Sequence, residues 1–109
     1  MDSRQLRRLF FVELYGGLKV VWPILSVLLS AMVLLGAAVA AIEGWPLGDG
    51  IYFAFVSGLT IGYGDLVPHR MIARVLAIGI GLLGLLLIAL VAAIAVHAME
   101  RMTRGKPED

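Results

Sequence analysis

The sequence predicts an all-α membrane protein in which two transmembrane helices flank a short re-entrant helix. Two segments without charged residues, 20–42 and 75–96, are each about long enough for a helix to cross a hydrocarbon core of roughly 30 Å. Of the 109 residues, 61% are hydrophobic and 16% are charged, which is more apolar than a water-soluble domain tolerates. The absence of cysteine excludes disulfides and thiolate metal sites, and a net charge of +1 gives no reason to expect a nucleic-acid partner. We therefore expect a lipid bilayer to surround the chain.

Residues 1–19 form a basic, amphipathic N-terminal segment. The segment mixes arginines with leucines and phenylalanines, and Gly16 and Gly17 break its pattern. It is either a basic flank that fixes the membrane topology or a separate interfacial helix, and both interpretations stay open. A cleaved signal peptide fits less well, because the apolar stretch that follows is too long.

The first transmembrane helix is predicted over residues 20–42. Trp22 and Pro23 lie near its start, where tryptophan anchors a helix at the interface and proline is tolerated in a first turn. The turn residues of segment 43–46 should end this helix on the far side of the membrane.

Residues 43–70 connect the two transmembrane helices and include a helix that is too short to cross the bilayer. We predict this helix over residues 47–58, with Pro46 in its first turn and Asp49 near its positive end. Re-entrant backbone persists at membrane depth only where protein or water covers it. The chain is also too small to enclose an aqueous pathway alone, so we expect it to self-associate.

The second transmembrane helix is predicted over residues 71–99, followed by a polar, disordered tail over residues 100–109. Most lysines and arginines lie in the two terminal segments, and only Arg70 and Arg74 lie between the apolar segments. The positive-inside rule then predicts a multi-pass protein of the cell membrane with both termini in the cytoplasm.

A glycine-rich hexapeptide lies between the short helix and the second transmembrane helix, and it reads Thr60-Ile61-Gly62-Tyr63-Gly64-Asp65. Gly62 and Gly64 reach positive φ without a Cβ penalty, so successive carbonyls can point to one side of the strand. Several such strands around one axis would replace the water around a permeating cation with peptide oxygen. A bare Gly-Tyr-Gly is also compatible with an ordinary turn. Its position, between a short helix and an aspartate and between two apolar segments, favours an ion site.

These features resemble the two-transmembrane prokaryotic potassium channels, over about Val20 to His97. The resemblance implies a homotetramer of identical subunits that conducts K+ passively, is gated at the bundle of its second helices, is not an enzyme and needs no cofactor. It also implies that residues 60–64, hereafter the filter, bind K+ through their backbone. The carbonyls of four residues and one hydroxyl would form the stacked ion sites: Thr60, Ile61, Gly62 and Tyr63, with the Thr60 hydroxyl.

The resemblance further implies how the filter is supported. Tyr63 is expected to point outward against the re-entrant helix, where Tyr52 and Phe53 take the positions of an aromatic cuff. We hypothesise a hydrogen bond from the Tyr52 hydroxyl to the Asp65 carboxylate; otherwise Asp65 is an outer-mouth charge that concentrates cations. Several relatives carry glutamate where this chain has Val56, so any behaviour that depends on that carboxylate is not expected here.

Two glycines in the second helix have competing interpretations. Gly84 aligns with the hinge glycine of the resembling family, although close helix packing would also explain it. Gly81, spaced four residues from Ala77, is interpreted as a packing residue.

The cytoplasmic end of the second helix contains a candidate gate and a candidate pH sensor. Ala92, Ala93 and Val96 offer small apolar groups for a constriction that closes by dewetting. His97, close to Glu100, titrates across physiological pH, so its protonation in each subunit could open the helix bundle. The alternative is that His97 only faces lipid headgroups.

Two other functions remain open at this point. A subunit of a potassium uptake transporter would carry a degenerate filter and several such loops in one chain, which the intact Gly-Tyr-Gly-Asp disfavours. A non-conducting modulatory or scaffold subunit would keep the filter only as a remnant, and single-channel recording separates it from a conducting pore.

Overall fold

The computed structural model describes residues 2–104, which form three α-helices and no strand. The helices are α1 (Ser3–Glu43), α2 (Leu47–Gly58) and α3 (Met71–Arg104). By length and composition, α1 and α3 can each cross a membrane. The predicted all-α class, with two helices of spanning length and a short helix between them, is confirmed. The short helix has the predicted range.

Helix α1 is longer than the sequence pattern indicates. It runs through Gly16, Gly17 and Pro23 without a break, so residues 3–19 of the predicted N-terminal segment and the predicted helix 20–42 are parts of one helix. The glycines do not end it because an interior glycine costs a helix only about 1 kcal/mol. Pro23 therefore lies inside the helix and not in a first turn, and its ring nitrogen has no hydrogen to donate to the carbonyl of Lys19.

The turn between α1 and α2 is built from backbone hydrogen bonds. Gly44 has φ +77°, and the Trp45 amide donates to the Ala40 carbonyl at 2.9 Å, which closes α1 in a glycine-capped turn. The Pro46 carbonyl accepts from the Asp49 amide at 3.0 Å and so starts α2. Pro46 is thus the N-cap residue of α2 rather than a residue of its first turn.

Helix α3 continues past the predicted boundary at residue 99 and ends at Arg104. The first part of the predicted polar tail is therefore helical, because residues 99–102 are good helix formers. The Thr103 hydroxyl donates to the Met99 carbonyl at 2.9 Å within this last turn. The rest of the predicted tail, residues 105–109, lies outside the described residues.

The described chain divides into two compact units. One consists of residues 25–88 and has its hydrophobic core where α1, α2 and α3 meet; the core comprises Val39, Phe53, Ala54, Ala73 and Ile80. The other combines residues 2–24 with residues 89–104. Within it, Ile94 packs against Gly17, and the Arg101 guanidinium pairs with the Glu13 carboxylate at 3.2 Å.

Helices α1 and α2 approach closely at a pair of glycines. A Cβ added at Gly36 would lie 2.5 Å from the Gly50 carbonyl oxygen and 2.9 Å from Ala54 Cβ. A Cβ added at Gly50 would clash in the same way with the Gly36 carbonyl and with Ala40. Each helix therefore has a glycine and an alanine four residues apart at the contact, the spacing that lets helices in membranes pack backbone to backbone.

Candidate functional site

The backbone of residues 60–64 alternates in handedness from one residue to the next. Thr60, Gly62 and Gly64 have φ of +61°, +60° and +78°, whereas Ile61 and Tyr63 are not among the positive-φ residues. Positive φ at alternate residues lets successive carbonyls turn toward one side of a strand, and such a row of oxygens is an arrangement that binds a cation.

Thr60 is the residue in this row whose conformation the sequence did not indicate. A β-branched residue at positive φ is a genuine outlier, because its Cβ crowds the following carbonyl. Such strain persists where the surrounding structure imposes it, and it concentrates at functional sites. The predicted positive φ at Gly62 and Gly64 is confirmed, and Thr60 extends the alternation to the start of the segment.

The amides of residues 60–62 are held by the last turn of α2. The Ile61 and Gly62 amides both donate to the Val56 carbonyl, at 2.9 Å and 3.1 Å, and the Thr60 amide donates to the Ser57 carbonyl at 3.2 Å. The edge that these three amides form, hereafter the amide edge, therefore faces α2. Val56 is buried and contributes through its backbone, a role that its side chain does not indicate.

Tyr52 and Phe53, the two residues of the predicted aromatic cuff, have different surroundings. Burial, followed by hydrogen bonding to Asp65 and the charge of Asp65, raises the pKa of Tyr52, which agrees with the hypothesised bond to that carboxylate; the bond itself stays a prediction. Phe53 is buried in the core, where its ring meets the Trp45 ring edge to face at 5.4 Å. The outward packing expected for Tyr63 stays a prediction, since its side chain is 70% exposed in the single chain.

Comparison with known proteins agrees with this geometry. A family model described as "Ion channel" matches residues 24–101, well over half of the chain. The chain belongs to this ion channel family. It is therefore not of an enzyme family, and its two long apolar helices are those of a membrane channel domain.

The individual relatives are potassium channels of much greater length. Potassium channel subfamily K member 13 of Homo sapiens is 40% identical over 62 residues, 53% of this chain and 15% of the relative. Two-pore potassium channel 3 of Arabidopsis thaliana is 41% identical over 39 residues, 36% of this chain and 9% of the relative. The voltage-gated potassium channel of Aeropyrum pernix is 32% identical over 60 residues, 55% of this chain and 20% of the relative. The chain thus spans a fifth or less of these proteins. No solved structure matches it.

Glu43 holds the end of the loop that precedes α3, and the sequence did not single it out. One of its carboxylate oxygens accepts the His69 and Arg70 amides, each at 2.7 Å. Glu43 lies just beyond the apolar span 20–42. Its pKa is held below the usual value by the hydrogen bond from the Arg70 amide, by that from the His69 amide and by the charges of both side chains, while burial opposes this lowering. The carboxylate thereby ties the end of α1 to the residues that precede α3. No local sequence signal announces this contact, because its partners are far apart in the chain.

The glycines of α3 differ sharply in their surroundings. Gly84 is buried, and a Cβ added there would overlap the backbone of Gly58 at the end of α2. A Cβ at Gly81 would meet nothing within 4 Å in the single chain. The Gly84 hinge and the Gly81 packing between subunits both stay predictions, and Gly84 also makes a packing contact of its own.

The structure places His97 with different neighbours from those the sequence indicated. His97 lines a cavity of about 640 Å³ together with Glu13 and Arg101, the ion pair between α1 and α3. Glu100 lines a separate cavity with Val96 and Met99. His97 therefore shares its cavity with both partners of an interhelical ion pair.

Proposed function

We propose that this chain forms a homotetrameric potassium channel that conducts K+ passively down its electrochemical gradient. The observation that carries this proposal is the alternating sign of φ over residues 60–64, together with the hydrogen bonds that join the first three of their amides to the last turn of α2. Four copies of this carbonyl row around one axis would replace the hydration shell of K+. K+ is the transported ion, and no cofactor is proposed.

Exposure of the filter in the single chain supports self-association. Residues 59–65 are all exposed, although they are irregular backbone inside a chain that crosses a membrane. Irregular backbone persists at membrane depth only where protein covers it or where it lines water. Identical subunits around the filter satisfy both conditions, because they cover its flanks and leave its carbonyl edge facing an aqueous axis.

The remaining parts of the proposal concern orientation and gating. The distribution of lysine and arginine supports cytoplasmic termini in a cell membrane. Helix α3 forms the gate, with Ala92, Ala93 and Val96 as its constriction and Gly84 as its hinge. All three constriction residues are exposed in the single chain, as residues that line a pore in the assembly would be.

Ion flux tests the proposal directly. The purified protein, reconstituted in liposomes, is expected to pass K+ faster than Na+ by about tenfold or more, a preference of about 1.4 kcal/mol. Gly62→Ala places a side chain at φ +60° and should remove this preference. Gly48→Ala, which adds its Cβ in open space, is the control and should keep it. Equal flux of both ions through the unmodified protein, or no flux, would refute the proposal.

We also propose that His97 makes the gate sensitive to internal pH. A protonated His97 adds a positive charge in the cavity that holds the Glu13–Arg101 pair, so it repels Arg101 and competes for Glu13. The expected response is a change in open probability when the internal solution is made more acidic. His97→Gln should remove it, whereas His69→Gln, at the other histidine of the chain, should not. An unchanged response in His97→Gln would reject this role.

A further inference from the structure

We infer that Gly84 positions the filter through direct backbone contact with Gly58, and does not serve α3 only as a point of bending. This role rests on the proposed function. One contact between α2 and α3 keeps residues 60–64 in the position that ion binding requires. Both glycines are buried within the same compact unit. Gly84 belongs to the middle of α3, and Gly58 is the last residue of α2.

The contact at Gly84 is made by main-chain atoms and cannot yield easily. A Cβ added at Gly84 would overlap the Cα, the carbonyl carbon and the carbonyl oxygen of Gly58. No side chain can rotate away to make room, because all three atoms are backbone. A methyl group at Gly84 therefore has to push the end of α2 away from α3.

The reverse substitution is different, and this asymmetry makes the contact testable. A Cβ added at Gly58 would overlap only Cε of Met32, the far end of a flexible side chain. It would lie 3.5 Å from Gly84 Cα and 3.5 Å from the Ile80 carbonyl oxygen, which is ordinary van der Waals contact. A methyl group at Gly58 thus leaves the spacing of the two backbones in place.

Displacement of Gly58 shifts the filter directly, because few covalent and hydrogen bonds separate the two. Gly58 is covalently next to Ser57 and Leu59, and Thr60 follows directly. The Ser57 carbonyl accepts the Thr60 amide, and the Val56 carbonyl accepts the Ile61 and Gly62 amides. A shift of the last turn of α2 therefore changes the positions of the acceptors that hold the amide edge, and with them the carbonyls on the opposite edge.

The test compares Gly84→Ala with Gly81→Ala. Both substitutions remove a glycine from the middle of α3 and reduce its flexibility, but only the first one forces two backbones apart. The measurement is the K+/Na+ permeability ratio from the reversal potential of the reconstituted channel, recorded together with open probability. Gly84→Ala is expected to lower the permeability ratio by about tenfold, and Gly81→Ala to leave it within about twofold of the unmodified protein. Gly58→Ala combined with Met32→Ala, which removes the side chain that the new Cβ would overlap, should also keep the K+/Na+ permeability ratio.

The results separate this inference from its alternatives. A residue that acts only as a hinge would change open probability and leave the permeability ratio unaltered, so that result for Gly84→Ala overturns the inference. If the Gly84→Ala protein does not assemble alone, mixed tetramers with unmodified subunits are measured instead. A K+/Na+ permeability ratio that does not fall as the fraction of variant subunits rises also overturns the inference. If the unmodified protein shows no preference for K+, the proposed function is refuted. If both the unmodified protein and the Gly84→Ala variant prefer K+ equally, only the positioning role of Gly84 is refuted.

Discussion

Individual residues support the filter from behind by two chemically different means. The Val56 carbonyl accepts two amides of the filter, so a residue with a buried apolar side chain supports the filter through its main chain. The hypothesised side-chain support is a hydrogen bond from Tyr52 to Asp65, in agreement with the raised pKa of Tyr52. Because one support is main chain and the other is a phenol, only the second can be removed cleanly by mutation.

Substitution of Tyr52 by phenylalanine should destabilise the conducting filter. The change removes the hydroxyl that donates to Asp65 and keeps the aromatic ring. Loss of this restraint is expected to accelerate the decay of K+ current during sustained opening, on the order of threefold to tenfold. The measurement is macroscopic current in a planar bilayer. Tyr15→Phe, which removes an exposed hydroxyl from α1, is the matched control, and equal decay in Tyr52→Phe and the unmodified channel would rule out the bond as a support.

Substitution of Glu43 should loosen the end of the loop that precedes α3. Glu43→Ala removes the acceptor of the His69 and Arg70 amides, so their hydrogen exchange should accelerate by about tenfold or more. The pKa of Glu43 is lowered from 4.5 by its bonded partners. The contact is therefore complete above about pH 4.5 and is lost as pH falls through the lower, folded-state value.

Mass-spectrometric exchange across this pH range checks the prediction, after correction for the intrinsic pH dependence of exchange. Glu43→Gln keeps a neutral acceptor and should show intermediate protection without the acid-induced step. Glu100→Gln, an acidic residue near the end of α3, should behave like the unmodified protein. Full protection of both amides in Glu43→Ala would contradict the assignment.

At the scale of helices, the sequence predicts where an element exists better than where it ends. Apolar length and flanking charge identify both long helices, and Pro46 with Ser57-Gly58 delimits α2 correctly. The continuation of α1 through Gly16 and Pro23 is not predictable in this way, because each residue costs a long helix a limited amount that packing can offset. The extension of α3 to Arg104 likewise includes a contact, the pair with Glu13, that no local pattern reveals.

The packing of α1 on α2 should be much more sensitive to a methyl group at Gly50 than at Gly48. Both glycines belong to α2, but a Cβ at Gly50 would meet the Gly36 carbonyl and Ala40, whereas a Cβ at Gly48 would meet nothing within 4 Å. Gly50→Ala is expected to destabilise the fold by about 1–3 kcal/mol through overpacking. Gly48→Ala should be neutral or stabilising by about 0.4–1 kcal/mol. Thermal unfolding in detergent provides the comparison, and equal stability of the two variants would contradict the close approach.

For the whole molecule, the sequence motif and the structure contribute different parts of the same argument. The hexapeptide and its position predict the ion chemistry, because glycines at alternate positions permit the required backbone. The positive φ of Thr60 and the anchoring of the amides by Val56 depend on how α2 ends against the loop, which is a property of the folded chain. The same holds for Glu43, whose partners lie beyond the filter in sequence.

Assembly and ion binding should therefore be thermodynamically linked in the proposed tetramer. If four chains together form the carbonyl sites, K+ binds the assembled state and not the separated subunits, and it stabilises assembly by RT ln(1 + [K+]/Kd), about 2.7 kcal/mol when K+ is present at 100 times its Kd. The tetramer is expected to dissociate at a higher temperature in K+ than in Na+ at equal ionic strength, as measured by light scattering or gel mobility. Gly62→Ala, which strains the backbone at φ +60°, should abolish the difference between the two salts, while Gly48→Ala should preserve it. Identical dissociation temperatures in K+ and Na+ for the unmodified protein would show that the carbonyl row does not bind K+ selectively in the assembly.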